Sequence, residues 1–262
     1  MTLLDHDRAC AELLGQTEQL LATVAGADLS AIVPTCPEWT LAELLRHVGH
    51  AHRRSEVTVR TRAAEPVPAG QVPDTEGPDE DDPAALGAWL TAGAERLVDT
   101  LREAGPDARV WTWTPRQDAM FWTRRPLHDT VIHRADAALT VGREFTVDPA
   151  VAADAVDEFL DLISSPRLAA FLPALAELRG PGGSIHLHAT DTDAEFGAEW
   201  LIELGEHGFT WGRAHAKATV AVRGALADLL CVLFGRLPAD SDRVEVLGDE
   251  ALLNFWLARA KI

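Results

Sequence analysis

Thr40-Leu41-Ala42-Glu43-Leu44-Leu45-Arg46-His47-Val48-Gly49-His50-Ala51-His52 carries its own start signal and its own buried face. Thr40 and Glu43 are spaced as a capping box, in which hydroxyl and carboxylate each satisfy an orphan backbone N–H. Leu41, Leu44, Leu45, Val48 and Ala51 recur at helical spacing, predicting a helix to about Arg62 with one apolar stripe. His47 falls on or beside that stripe, His50 shares its side, and His52 projects away. Such a stripe needs other helices to cover it, so the fold begins as a bundle.

Outward from there, Val33-Pro34-Thr35-Cys36-Pro37 reads as a loop, since each proline disfavours helix in the residue before it. Residues 5–25 read as a first helix on Leu13, Leu14, Leu20, Leu21 and Val24. Downstream, residues 65–83 are rich in proline and acids and read as a solvated loop. A third helix is expected over 84–104 and a fourth over 120–140, with Trp111–Thr114 as an extended strap between them. Asp148-Pro149 supplies an N-cap and a first-turn proline for a fifth helix to about Ile163.

After Arg179-Gly180-Pro181-Gly182-Gly183, a plausible linker by composition, the apolar period changes to two. Short strands are expected at 184–189, 199–204, 209–213 and 218–223, with Gly205-Glu206-His207-Gly208 as a hairpin turn. A helix over 225–236, a strand at 243–247 and a last helix from Glu250 follow. The predicted architecture is α plus α+β: a helical domain over 1–165, then a small α/β domain over 180–262.

Composition narrows the function classes. The chain has 262 residues, 47% of them hydrophobic, enough for a real core. Its 23 basic and 41 acidic residues give a formal charge of −18, which repels phosphate backbones and anionic membranes and argues against nucleic-acid binding. Cys10, Cys36 and Cys231 are too scattered for a disulfide framework or a thiolate metal cluster. With no secretory pattern in the first residues and no apolar run of membrane length, a cytoplasmic monomer or homodimer is expected.

Two segments can carry metal chemistry. Asp129 and His133 in His128-Asp129-Thr130-Val131-Ile132-His133 are one helical turn apart on a single face, while His128 points elsewhere. Alone, the pair reads more readily as a salt-bridged surface pair, and His47 alone as a hydrogen-bonded core histidine. Together they can supply three ligands from facing helices, as bundles do. Three protein ligands leave an open position, the mark of a catalytic rather than a structural site. Imidazole with carboxylate suits zinc first, without excluding nickel, iron or manganese.

The stretch Pro34–Val48, with its Cys-Pro-Glu-Trp-Thr and following His47, resembles the opening motif of mycothiol-dependent maleylpyruvate isomerase-like proteins of the wider DinB superfamily. Arg125–Ala137 resembles that family's second motif, R-x-x-HE-x-x-x-H-x-x-DA, with Asp129 where glutamate is usual. Val222–Leu230 and Val244–Asp249 resemble its C-terminal domain. The resemblance implies a DinB-like four-helix bundle holding a divalent metal, foremost Zn2+, on His47, Asp129 and His133, with His50 as an extra or substitute ligand. It also implies mycothiol as cosubstrate, a thiol transferred to a small electrophile or used to isomerise it. The rival readings are a metal-dependent hydrolase and a non-catalytic metal- or ligand-binding protein.

Other residues are weaker candidates. Arg223 beside Gly224 can clamp a substrate carboxylate as a catalytic residue, or make a surface salt bridge. Cys36 reads as packing rather than nucleophile. His186 and His188 share one strand face and could bind a metal together, though that face is expected to meet solvent or the other domain. Arg124 and Arg125 can neutralise nearby acids, and Trp111 with Trp113 can wall a pocket.

Overall fold

The computed structural model describes residues 4–78, 81–178 and 182–262. Contacts divide the chain into two compact units, one running to Thr112 and including Arg116–Thr146, the other made of Trp113–Pro115 and Val147–Ile262.

The first unit is built on four long helices, α1 (His6–Val24), α2 (Leu41–Arg60), α3 (Pro83–Ala104) and α4 (Ala119–Thr140). Each of α1 and α2 packs against both α3 and α4, the arrangement of a four-helix bundle. Their starts are set by local chemistry. Asp5 caps α1 by accepting from the Arg8 N–H, and Asp82 caps α3 ahead of Pro83. The expected capping box of Thr40 and Glu43 is present at α2. Leu20, Leu41, Leu44, Leu45, Val48, Leu86 and Leu90 form one fully buried cluster between α1, α2 and α3. Gly49 of α2 is required there: a Cβ at this position would lie 2.0 Å from the Trp89 ring on α3.

Two expectations in this unit change. The segment read as a loop at 33–37 is a small antiparallel ladder, β1 (Ile32–Val33) and β2 (Cys36–Thr40), turned at Pro34-Thr35. Its prolines sit at the turn and near the strand start, where a missing N–H costs no ladder bond. Residues 111–114 form no strand; the bridge falls at Arg109 and Asp118 instead.

The second unit is a five-stranded mixed sheet, order β5-β4-β3-β6-β7, from β3 (Ser184–Ala189), β4 (Glu199–Gly205), β5 (Gly208–Arg213), β6 (Val220–Gly224) and β7 (Val244–Gly248). β3 and β6 are parallel and all other neighbours antiparallel. The β4–β5 hairpin turns where expected, with Gly205 opposite Gly208. Gly208 takes φ +137°, open to glycine and few others.

Helices α5 (Pro149–Ile163), α8 (Leu226–Leu233) and α9 (Glu250–Arg259) belong to this unit, with the single turns α6 (Pro166–Ala169) and α7 (Pro173–Ala176) between α5 and the sheet. Asp148 caps α5 and Pro149 opens it, as read from the sequence. The sequence carries the helical domain through this helix to residue 165, whereas its contacts place it with the sheet. Phe159 of α5 packs 4.6 Å from Phe234 and 6.3 Å from Trp256, and α5 lies against α8. Asp157 accepts from Trp200 Nε1 at 2.7 Å and pairs with Arg213, tying α5 to β4 and β5. Of the expected linker, Arg179, Gly180 and Pro181 lie outside the described residues.

Candidate metal centre

The packing of α2 against α4 brings His47, Asp129 and His133 together, with one ligand-type atom of each within 4.8 Å of the others. Asp129 Oδ2 lies 3.8 Å from His47 Nε2, and Asp129 Oδ1 lies 4.0 Å from His133 Nε2. Aspartate is one methylene shorter than glutamate, yet it reaches both imidazoles from one turn below His133. The rings of His47 and His133 stand edge to face at 4.7 Å. Trp39, delivered by β2, tilts over them at 4.6 Å and 5.8 Å.

Supporting contacts orient each member. Arg125, one turn before Asp129, donates to its Oδ1 at 2.9 Å. The fully buried Asp136, one turn after His133, stands 3.0 Å from His133 Nδ1. Its other oxygen accepts from the Thr35 hydroxyl at 2.5 Å. An acceptor on Nδ1 places the ring proton there and turns the Nε2 lone pair toward His47 and Asp129, the arrangement found behind metal-binding histidines.

Electrostatics point the same way. Burial pulls His47 down to about 4, assisted by the neighbouring His133, although one edge of its ring stays exposed. It is therefore neutral near pH 7, with a free lone pair. For Asp129, burial pushes upward but is outweighed by His133, Arg125 and His47, which hold the carboxyl at about 2. Asp129 Oδ2 is buried and makes no hydrogen bond. A buried anionic oxygen without a donor, beside two imidazole nitrogens, is a donor set that fits a divalent cation.

The other sequence candidates fall elsewhere. His50 is half-buried and outside the cluster. His52 does not project away: it is fully buried, its Nε2 2.9 Å from Thr130 Oγ1 on α4, because α2 is covered on two sides. Cys36 is half-buried against the α2 core cluster, a packing position. Arg223 is half-exposed and reaches Glu245 across β6–β7 at 3.1 Å, the surface salt bridge the sequence also allowed. Arg125 does neutralise an acid, Asp129. Trp111 packs on Trp122 in the bundle unit, while Trp113 meets Phe171 in the sheet unit. His186 and His188 share one face of β3, within the sheet unit. Asp136 and Thr35 join the site beyond the residues the sequence points to, although the i+3 spacing of Asp136 from His133 is a legible signal for a partner of that imidazole.

Fold and site together define a class: a four-helix bundle with a histidine–carboxylate–histidine cluster between two helices, followed by a mixed-sheet unit. Residues 10–138 match the model of the mycothiol maleylpyruvate isomerase N-terminal domain, and residues 150–255 match the C-terminal domain of the same enzymes. The chain belongs to the mycothiol-dependent maleylpyruvate isomerase family, a family of enzymes. Among solved structures, that of a mycothiol-dependent maleylpyruvate isomerase is similar at 17% identity and a TM-score of 0.56, covering 94% of this chain and 95% of the other. A histidine-to-alanine mutant of such an isomerase is similar at 16% identity and a TM-score of 0.55, with the same coverage. No curated protein sequence matches the chain. Among the described residues, no helix is long and apolar enough to cross a membrane.

Proposed function

We propose that this chain is a divalent-metal-dependent enzyme that uses mycothiol to isomerise, or transfer sulfur to, a small electrophilic substrate. His47, Asp129 and His133 would hold the ion, foremost zinc. The observation that carries the reading is the buried Asp129 Oδ2, unbonded and 3.8 Å from a neutral histidine, in a chain of this family. Three protein donors leave room for an exogenous ligand. When bound, the ion would supply the positive charge that favours thiolate over thiol near neutral pH, where a free thiol of pKa about 8.5 is mostly protonated.

The protein's own residues then have definite tasks. Asp136 holds the proton on His133 Nδ1, and Arg125 holds one oxygen of Asp129, so the cluster is fixed before any ligand arrives. Trp39 packs against both imidazoles and holds them in place. A thiolate presented there adds to the conjugated carbon of an unsaturated carbonyl compound, and the alkene electron pair moves onto the carbonyl oxygen as an enolate. Rotation about the former alkene bond, now single, and expulsion of the thiolate complete an isomerisation with no net change in atoms. Protonation of the enolate instead leaves the thioether of a transferase. Arg223, engaged with Glu245, has no part in this reading.

The test is elemental analysis of the wild type beside His133→Ala, followed by turnover of maleylpyruvate with and without mycothiol. Loss of one metal ion per chain in the variant, with turnover requiring both thiol and metal, is the expected result. Turnover by metal-free protein sinks the proposal. Thiol-independent hydrolysis would make the chain a metal hydrolase, and metal without turnover a binding protein.

A further inference from the structure

The sheet unit contains a second convergence of ligand-type side chains, built from different elements. His186 and His188 stand at i and i+2 on β3 and so face the same way. Glu199, at the start of β4, is the direct cross-strand partner of His188. A backbone bond from the Ala214 N–H to the Glu199 carbonyl, 3.1 Å, brings the residue just after β5 alongside, and with it His215. All four side chains offer ligand atoms within 4.8 Å of one another.

Their geometry is that of a shell around one point. His186 Nε2, His188 Nδ1 and His215 Nδ1 lie 3.0, 2.8 and 2.6 Å from the same oxygen, Glu199 Oε2. The ring centroids are 5.8, 5.7 and 5.9 Å apart, nearly an equilateral triangle. Hydrogen bonding alone does not account for it. His188 and His215 each pair with Oε2, but His186 Nε2 is not aligned for a hydrogen bond despite its closeness. His186 is only 6% exposed, so its Nε2 is buried and directed at Glu199 Oε2 in an ion-pair contact that no aligned hydrogen bond satisfies. Burial holds His186 below the usual histidine range.

We infer that His186, His188, Glu199 and His215 form a second, structural divalent-cation site of the zinc class. Three imidazoles and one carboxylate complete a tetrahedral zinc shell without an open position, which separates this site from the three-donor cluster of the bundle. Zinc–nitrogen bonds of about 2.0–2.1 Å put tetrahedral ligand atoms roughly 3.3 Å apart, so Glu199 Oε2, now 2.6–3.0 Å from the three nitrogens, would draw back from them to admit an ion. Such an ion would tie β3, β4 and the segment after β5 together. His215, the most exposed member at 78%, is the ligand that brings that segment in.

The experiment measures zinc per chain and zinc affinity in wild type, His133→Ala, His215→Ala and the double variant. The site predicts one zinc retained in His133→Ala, affinity for it reduced at least 10-fold by adding His215→Ala, and slower proteolysis within 214–218 when zinc is present. His215 is too exposed for its loss to unfold the sheet, and circular dichroism checks that each variant is folded. If His133→Ala binds no zinc, or binds it equally well after His215→Ala, the second site does not exist. Because the first site is read on His133 in the wild-type background, failure of either site is seen separately from failure of the other.

Discussion

Replacing Asp136 tests whether the bundle cluster is an organised metal site or three polar side chains that happen to meet. Asp136 is wholly buried and serves two donors, His133 Nδ1 at 3.0 Å and the Thr35 hydroxyl at 2.5 Å. Asp136→Ala removes the acceptor that holds the proton on Nδ1, so His133 can place its proton on Nε2 and lose the lone pair facing Asp129 and His47. Loss of such a carboxylate partner costs ~10- to 100-fold in metal affinity, or about 1.4–2.7 kcal/mol. The abandoned Thr35 hydroxyl adds a folding cost of about 1–3 kcal/mol. Asp136→Asn keeps an oxygen for one donor and should fall between wild type and alanine in both respects. Zinc competition against a chromophoric chelator measures the first effect, and urea melts in chelator measure the second. If folded Asp136→Ala binds zinc within threefold of wild type, Asp136 does not orient His133 and the argument from tautomer fails.

Three further predictions concern the bundle unit. Gly49→Ala should destabilise the protein by about 1–2 kcal/mol in urea melts, because overpacking against Trp89 at 2.0 Å exceeds the ~1 kcal/mol that alanine contributes to a helix; a gain in stability would mean that the α2–α3 contact yields easily. Burial holds His52 neutral, at about 4 in the folded chain. As pH falls the unfolded chain takes the proton first, so stability present above about pH 6.5 is lost down to about pH 4, by ~3 kcal/mol in all; metal-free His52→Gln should show a flatter stability profile across that window, and an unchanged slope would refute the assignment. Burial raises the Cys10 thiol to about 11, so it should resist alkylation at pH 8 in folded protein and react once unfolded, as mass spectrometry of the labelled peptides would show.

Legibility differed from helix to helix for physical reasons. The start of α2 was readable because a capping box is made within four residues. Helix α4 gave no readable face, since Met120, Leu127, His128, Thr130, Ile132, Arg134 and Asp136 are buried around its whole circumference. The Asp129–His133 spacing was therefore visible, while its pairing with His47 came from the family resemblance and not from any pattern on α4. His52 was misassigned for the same reason: α2 packs on α3 through Gly49 and on α4 through His52, so a single apolar stripe understates what is buried. The fifth helix had a clear start at Asp148-Pro149, but its place with the sheet shows only in contacts such as Phe159 on Phe234 and Asp157 on Trp200 and Arg213.

The sequence by itself determined what short-range chemistry can encode: helix starts, the β4–β5 turn, the one-turn spacing of Asp129 and His133, and the shared face of His186 and His188. Tertiary structure alone decided which of these meet. The packing of α2 on α4 set His47 3.8 Å from Asp129, and the pairing of β3 with β4 set Glu199 beside His188. Those distances depend on how whole elements pack and pair, and packing sums many weak contacts that no local pattern records.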